Sequence, residues 1–165
     1  MAQTALKGNP VSLSGTEVKV GDAAPVVSVV GKDLSEVVVG GAKGKTQVLV
    51  VVPSLDTAVC AAEARRFNVE AAKKEGVEVS VISMDLPFAM GRFCTTEGIE
   101  NLVTGSDFRH KAFANAYGVL IGDGPLAGLT CRAIFVVSPE GKVTYKEIVP
   151  EITAEPNYDA ALSAL

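Results

Sequence analysis

Two nearly continuous apolar runs constrain this chain more than any other feature. They are T-Q-V-L-V-V-V at residues 46–52 and V-E-V-S-V-I-S-M at 77–84. A β-branched run without regular polar alternation belongs in a strand covered on both faces. The segment between them, residues 58–74, has helix-forming composition and ends near Gly76, which fits a glycine just past a helix C-terminus. Strand, helix and buried strand make a right-handed β-α-β crossover.

The rest of the chain extends that unit. Residues 4–6 and 11–13 alternate in polarity around K-G-N-P and predict an N-terminal hairpin. Short strands are expected at 18–20, 26–30 and 37–39. After the second buried run, Pro87 starts a short helix carrying Phe88, Phe93 and Cys94. A brief strand is expected at 103–104. A helix over 108–117 would place Phe108, Ala112, Phe113 and Ala116 on one side. Residues 129–137 and 143–148, joined by S-P-E-G-K, read as an antiparallel hairpin, and a helix over 157–165 closes the chain. The element order β-α-β-α-β-β-α is that of a thioredoxin-like α/β fold, a central mixed sheet flanked by helices, here with an N-terminal β-hairpin. One domain over residues 1–165 is expected.

Composition removes several function classes. The formal net charge is −4 and no basic patch with interleaved aromatics occurs, which argues against a nucleic-acid partner. The apolar runs are of strand length, so no membrane span is expected. The first ten residues hold no apolar stretch of leader length, so the cytoplasm is the expected location. Three cysteines at wide spacing do not form a secreted disulfide framework. With one histidine and no C-x-x-C, neither a metal nor another cofactor is expected.

The chemistry centres on P-S-L-D-T-A-V-C, residues 53–60. Pro53 ends the first buried strand. Cys60 then falls in the first turn of the following helix, where free N–H groups and the helix dipole favour a thiolate. Thr57 precedes it by one turn and is expected to cap the helix and aim its hydroxyl at the sulfur. Arg132 lies in the apolar run L-T-C-R-A-I-F-V-V. A buried guanidinium costs several kcal/mol unless a partner offsets it, about the effective desolvation penalty of one ion. The partner is a carboxylate or solvent on one reading, and the Cys60 thiolate with a substrate oxygen on the other. Cys94 is a buried thiol or the thiol that attacks an oxidised Cys60. Cys131 adjoins Arg132, so strand alternation turns it to the opposite face as core filler. His110 follows Arg109 on a helix and is expected to be solvated, with no triad motif around it.

P-S-L-D-T-A-V-C contains the P-x-x-x-T-x-x-C signature of the peroxiredoxins. S-M-D-L-P-F-A-M-G-R-F-C, A-Y-G-V-L-I, G-P-L-A-G-L-T-C-R-A-I-F-V-V and V-P-E-I-T-A-E-P-N-Y resemble the bacterial thiol peroxidases, the atypical two-cysteine branch. The resemblance covers nearly the whole chain. It implies a thioredoxin-like fold with an added hairpin, and reduction of hydrogen peroxide and alkyl hydroperoxides. It makes Cys60 the peroxidatic cysteine and Cys94 the resolving cysteine that joins it in an intramolecular disulfide. Pro53, Thr57 and Arg132 match the other active-site positions. Recycling by thioredoxin or a similar dithiol and a homodimeric state are implied as well. The alternative function is a redox sensor that uses the same thiols to switch a partner; a cysteine hydrolase would need a histidine near Cys60 and has only His110. Two positions depart from the family. Ala58 stands where a proline is general, at about 0.4–1 kcal/mol of loop rigidity, and Cys131 replaces what is commonly alanine.

Overall fold

The computed structural model describes residues 3–165. The two apolar runs form β5 (Thr46–Val51) and β6 (Val77–Ser83), paired parallel in the register Val48↔Val79 and Val50↔Val81. The crossover between them contains α1 (Ala58–Ala72). β7 (Leu102–Ser106) adds a third parallel strand, reached through α2 (Pro87–Glu97).

On the other side of β5 the hairpin β9 (Ala133–Val137) and β10 (Val143–Ile148) runs antiparallel. β3 (Val27–Val30) and β4 (Glu36–Val39) close the far edge beyond β7. Among the described residues this sheet runs β10-β9-β5-β6-β7-β3-β4. A smaller sheet joins β1 (Gln3–Leu6), β2 (Asn9–Ser14) and β8 (Leu120–Ile121). The helices α3 (Ala112–Tyr117) and α4 (Tyr158–Ser163) complete the fold.

The central strands feed two separate cores by simple alternation. Leu49 and Val51 of β5, with Ala133, Phe135 and Val137 of β9, enter one cluster with Phe113 and Tyr117 of α3. Val48, Val50 and Val52, with Ile134 and Val136, enter the other with Phe67 of α1, Met90 of α2 and Ala161 of α4. Cys131 shares the parity of Ala133 and lies in the first cluster, fully buried. Cys60 and Cys94 both lie in the second.

Several boundaries differ from the sequence reading. Residues 18–20 form no strand: Val18 is buried in the first cluster, but Val20 stays in solvent. α1 stops at Ala72 with Lys73 as its cap, and Gly76 instead takes φ +70° in the turn that starts β6. The helix expected from 108 begins only at Ala112. Asp107 explains the delay, because its carboxylate accepts from the N–H groups of Phe113 (3.0 Å) and Ala114 (2.8 Å) and so fixes the helix start, leaving Phe108 exposed. Residues 129–132 are irregular, since Thr130 bridges to Leu120 and its hydroxyl donates to Val52 O (2.7 Å). β7 is longer than expected, and β8 is too short to leave a periodic signal.

Burial pushes the Cys131 thiol up to about 12, so it stays a neutral apolar filler. Cys131→Ala should lower stability by about 1 kcal/mol, as for loss of one small buried group, and leave the alkylation rate of Cys60 unchanged. Denaturant unfolding alongside thiol-alkylation kinetics checks both.

Candidate active site

α1 buries Cys60, Glu63, Ala64 and Phe67, the i, i+3, i+4, i+7 face of a helix packed on a sheet. Three of these are apolar or small; Glu63 is not. Its burial is explained from the neighbouring strand. Arg132 sits one residue before β9, with the parity of Ile134, and so points to the α1 side. Its Nη1 donates to Cys60 Sγ (3.2 Å) and to Glu63 Oε2 (2.7 Å). Its Nε donates to Ile152 O (2.8 Å). The structure thus gives Arg132 a carboxylate and the Cys60 sulfur as partners on one guanidinium nitrogen.

The ionisation balance follows from that sharing. Burial pulls the Arg132 guanidinium toward deprotonation, but its electrostatic coupling and hydrogen bonds to Cys60 and Glu63 outweigh it and hold the proton more tightly. Burial pushes the Glu63 carboxyl up to about 7, against the pull of Arg132. Its second oxygen, Oε1, is buried without a hydrogen-bond partner among the described residues, so the carboxylate is only half compensated. Glu63 was missed in the sequence because an i+3 glutamate looks like ordinary solvated helix. The signal was its place on the same face as Cys60, Ala64 and Phe67.

The turn before α1 is held by a second unanticipated carboxylate. Asp85, just past β6, accepts from Leu55 N (2.8 Å), Ser54 Oγ (2.7 Å) and Ser83 Oγ (2.7 Å). It thereby ties the turn that leads into α1 to the connection between β6 and α2. Pro53 is buried at the end of β5. Thr57 is the N-cap residue by backbone geometry (φ −113°, ψ 150°), but its side chain makes no cap bond; the hydroxyl donates back to Ser54 O (3.0 Å). The expected side-chain cap is therefore corrected. Ser54 O is close enough to take the hydroxyl, and the first-turn N–H groups of α1 are left without a side-chain acceptor.

Cys94 lies in the last turn of α2, which ends at Gly98 in the left-handed region (φ +65°). Burial raises the Cys94 pKa, opposed by the Lys32 charge. Cys94 lines a small apolar void with Leu55, Ala64 and Phe93. All three cysteines are free. His110 is exposed, as expected, whereas Cys60 is fully buried. A larger cleft of about 480 Å³ opens beside the site, walled by residues 55–58 and Ala61 on one side and by Ala89, Arg92 and Phe93 of α2 on the other.

The raised Glu63 pKa sets a pH dependence. Folding raises this carboxyl from 4.5 to about 7, so the folded state binds the proton more tightly than the unfolded state. Its effect on stability is therefore most favourable below 4.5 and is lost as pH climbs through 7. Glu63→Gln cannot titrate. Its stability relative to the parent should rise between pH 5 and pH 7.5, read by urea unfolding of the reduced proteins. A difference that is flat with pH would show that Glu63 is ionised throughout.

Residues 19–162 match the Redoxin family. The chain is 56% identical to a thiol peroxidase of Aquifex aeolicus over 99% of this chain and 96% of that protein. It is 60% identical to a thiol peroxidase of Campylobacter jejuni over 92% and 85%. Among solved structures, a peroxiredoxin-like protein from Aquifex aeolicus superposes with a TM-score of 0.95 at 53% identity, covering 99% of this chain and 96% of that one. A thiol peroxidase from Chromobacterium violaceum, at 21% identity, shares the fold with a TM-score of 0.87. With a cysteine at a helix start, an arginine on its sulfur and relatives this similar, the chain belongs to the Redoxin family and, within it, to the thiol peroxidases, peroxiredoxins with thiol-dependent peroxidase activity.

Proposed function

We propose that the protein reduces hydrogen peroxide and alkyl hydroperoxides at Cys60, with Cys94 as the resolving thiol. The observation that carries this reading is the 3.2 Å contact from Arg132 Nη1 to Cys60 Sγ inside a buried site. A permanent cation there favours the thiolate, which is the nucleophilic form. In the first step the Cys60 sulfur attacks one peroxide oxygen, the O–O bond breaks, and the other oxygen leaves with its electron pair. Arg132 and the first-turn N–H groups of α1, which no side chain caps, stabilise the charge on the leaving oxygen. A proton from solvent completes the alcohol or water, and Cys60 is left as a sulfenic acid.

The second step is attack by the Cys94 sulfur on the Cys60 sulfur, forming an S–S bond and releasing water. Cys60 begins fully buried on α1 and Cys94 is buried on α2. Disulfide geometry needs Cα atoms within about 7 Å, and each thiol is packed within a different helix, so the mechanism calls for the start of α1 or the last turn of α2 to open at this step. Both are helix ends, the places where local opening is least costly. A dithiol protein, thioredoxin or one like it, then takes the disulfide back to two thiols. A reducing compartment such as the cytoplasm supplies that partner, and a homodimer is the assembly we favour.

Cys60→Ser should abolish turnover, because serine is not ionised at neutral pH. Arg132→Ala should slow both peroxide reduction and alkylation of Cys60 at pH 7, by about 100-fold for the reaction with peroxide, the order seen for loss of one preorganised donor. Cys94→Ser should keep the first oxidation but stop at the sulfenic acid, which excess peroxide drives on to sulfinic acid. Stopped-flow oxidation and intact-mass readings separate these cases. Substantial turnover in Cys60→Ser would defeat the reading.

A further inference from the structure

The N-terminal hairpin lies outside the β-α-β core, yet its hydrogen bonds lead to the reacting sulfur. Lys7 (φ +50°) and Gly8 (φ +82°) form the two-residue turn between β1 and β2. Such a turn makes Leu6 and Asn9 the bonded pair and so turns the polar groups of Ala5 to the outer edge of the hairpin. That edge docks on residues 149–153, where Ala5 bridges Glu151 in parallel.

The docking is specific at each residue. Thr4 Oγ1 donates to Val149 O (2.8 Å), and Val149 N donates to Arg132 O (3.0 Å). Ile152 N donates to Ala5 O (2.8 Å), and the carbonyl of the same residue receives Arg132 Nε (2.8 Å). Between them Glu151 grips the hairpin turn. Its Oε1 accepts from Gly8 N (2.8 Å), and its Oε2 from Lys7 N (3.0 Å), Thr153 N (3.0 Å) and Thr153 Oγ1 (2.9 Å). These donors, Thr153 N first and Gly8 N next, hold the Glu151 carboxyl down at about 2.

The guanidinium is therefore fixed from two directions. Glu63 and Cys60 hold Nη1, and Ile152 holds Nε. The first hold belongs to the active site. The second depends on a loop that the hairpin positions. We propose that Glu151 is a positioning residue: by clamping the hairpin turn to the 149–153 loop, it sets the Ile152 carbonyl that aims Arg132 at Cys60. The added hairpin is thus part of the catalytic apparatus, without touching substrate. This rests on Arg132 acting at Cys60, as argued above.

A double-mutant cycle on single-turnover oxidation of reduced enzyme by hydrogen peroxide tests it. Glu151→Ala should lower the oxidation rate about 10-fold, within the loss that a small displacement of a positioning group produces. Gly8→Ala strains the turn at φ +82° with nothing within 4 Å of the added carbon, and should give a smaller loss in the same direction. Arg132→Lys keeps the charge but cannot span Ile152 and Cys60 together, so it should be slow by itself. Glu151→Ala on that background should then cost less than about 2-fold, because the aim it supports is already gone. A merely structural weakening would add in full. Wild-type oxidation by a folded Glu151→Ala protein, or full additivity with Arg132→Lys, overturns the proposal. Should Glu151→Ala fail to fold, Gly8→Ala takes its place in the cycle with the same criteria. If Arg132→Lys alone has no effect, the role of Arg132 falls with it.

Discussion

The structure depends on one guanidinium in the interior. Arg132 is almost wholly shielded from solvent and gives its hydrogen bonds to a sulfur, a carboxylate and a backbone carbonyl. Breaking a buried ion pair by deleting one partner costs about 3–5 kcal/mol, because the other charge is left uncompensated. A chain that buries such a group must hold every partner in place. β9 supplies the position, α1 supplies the thiol and Glu63, and the loop after β10 supplies Ile152. The two cores of the sheet meet their requirements through alternation in β5 and β9, which sends Cys131 to one side and Arg132 to the other. The same alternation places an inert thiol and the arginine that contacts Cys60 on opposite faces across a single peptide bond.

Carboxylates then stabilise the geometry where apolar packing cannot. Asp85 takes two donors from the 53–57 turn and so holds the start of α1. Glu151 takes backbone donors from two segments far apart in sequence. Asp107 fixes the start of α3. Glu63 differs from these three because one of its oxygens is buried and unpaired. A half-compensated carboxylate near a guanidinium keeps that cation shared between two acceptors. When Glu63 is protonated, its charge no longer competes with the Cys60 sulfur for Arg132 Nη1.

Much of this was legible in the sequence for a physical reason. The β5 and β6 runs are long, apolar and β-branched, and only a doubly covered parallel pair accommodates them. Cys60 was legible because a proline-terminated strand followed by helix-forming residues fixes its position, and Arg132 because a lone charge in an apolar strand needs a partner. What stayed hidden depends on contacts between distant segments. Glu63 shares the helix face of Cys60, Ala64 and Phe67, but nothing local says what would compensate its burial until β9 is laid against α1. Asp85 and Glu151 look like ordinary loop acids until the turns they bridge are brought together. Thr57 has the sequence of a capping residue, but the nearby Ser54 carbonyl captures its hydroxyl. Residues 18–20 alternate like a strand yet form no ladder, and of the two valines only Val18 is buried.

The central claim is that the two cysteines of the α1–α2 core, and not the one across the sheet, carry the redox chemistry. The most direct measurement is peptide mapping of the fully reduced wild-type protein after one equivalent of hydrogen peroxide, under non-reducing conditions. The account predicts a chain lighter by two hydrogens, with Cys60 bonded to Cys94 in the same molecule and Cys131 still a free thiol. A bond to Cys131, a link between two chains, or a Cys60 that stays reduced would contradict it.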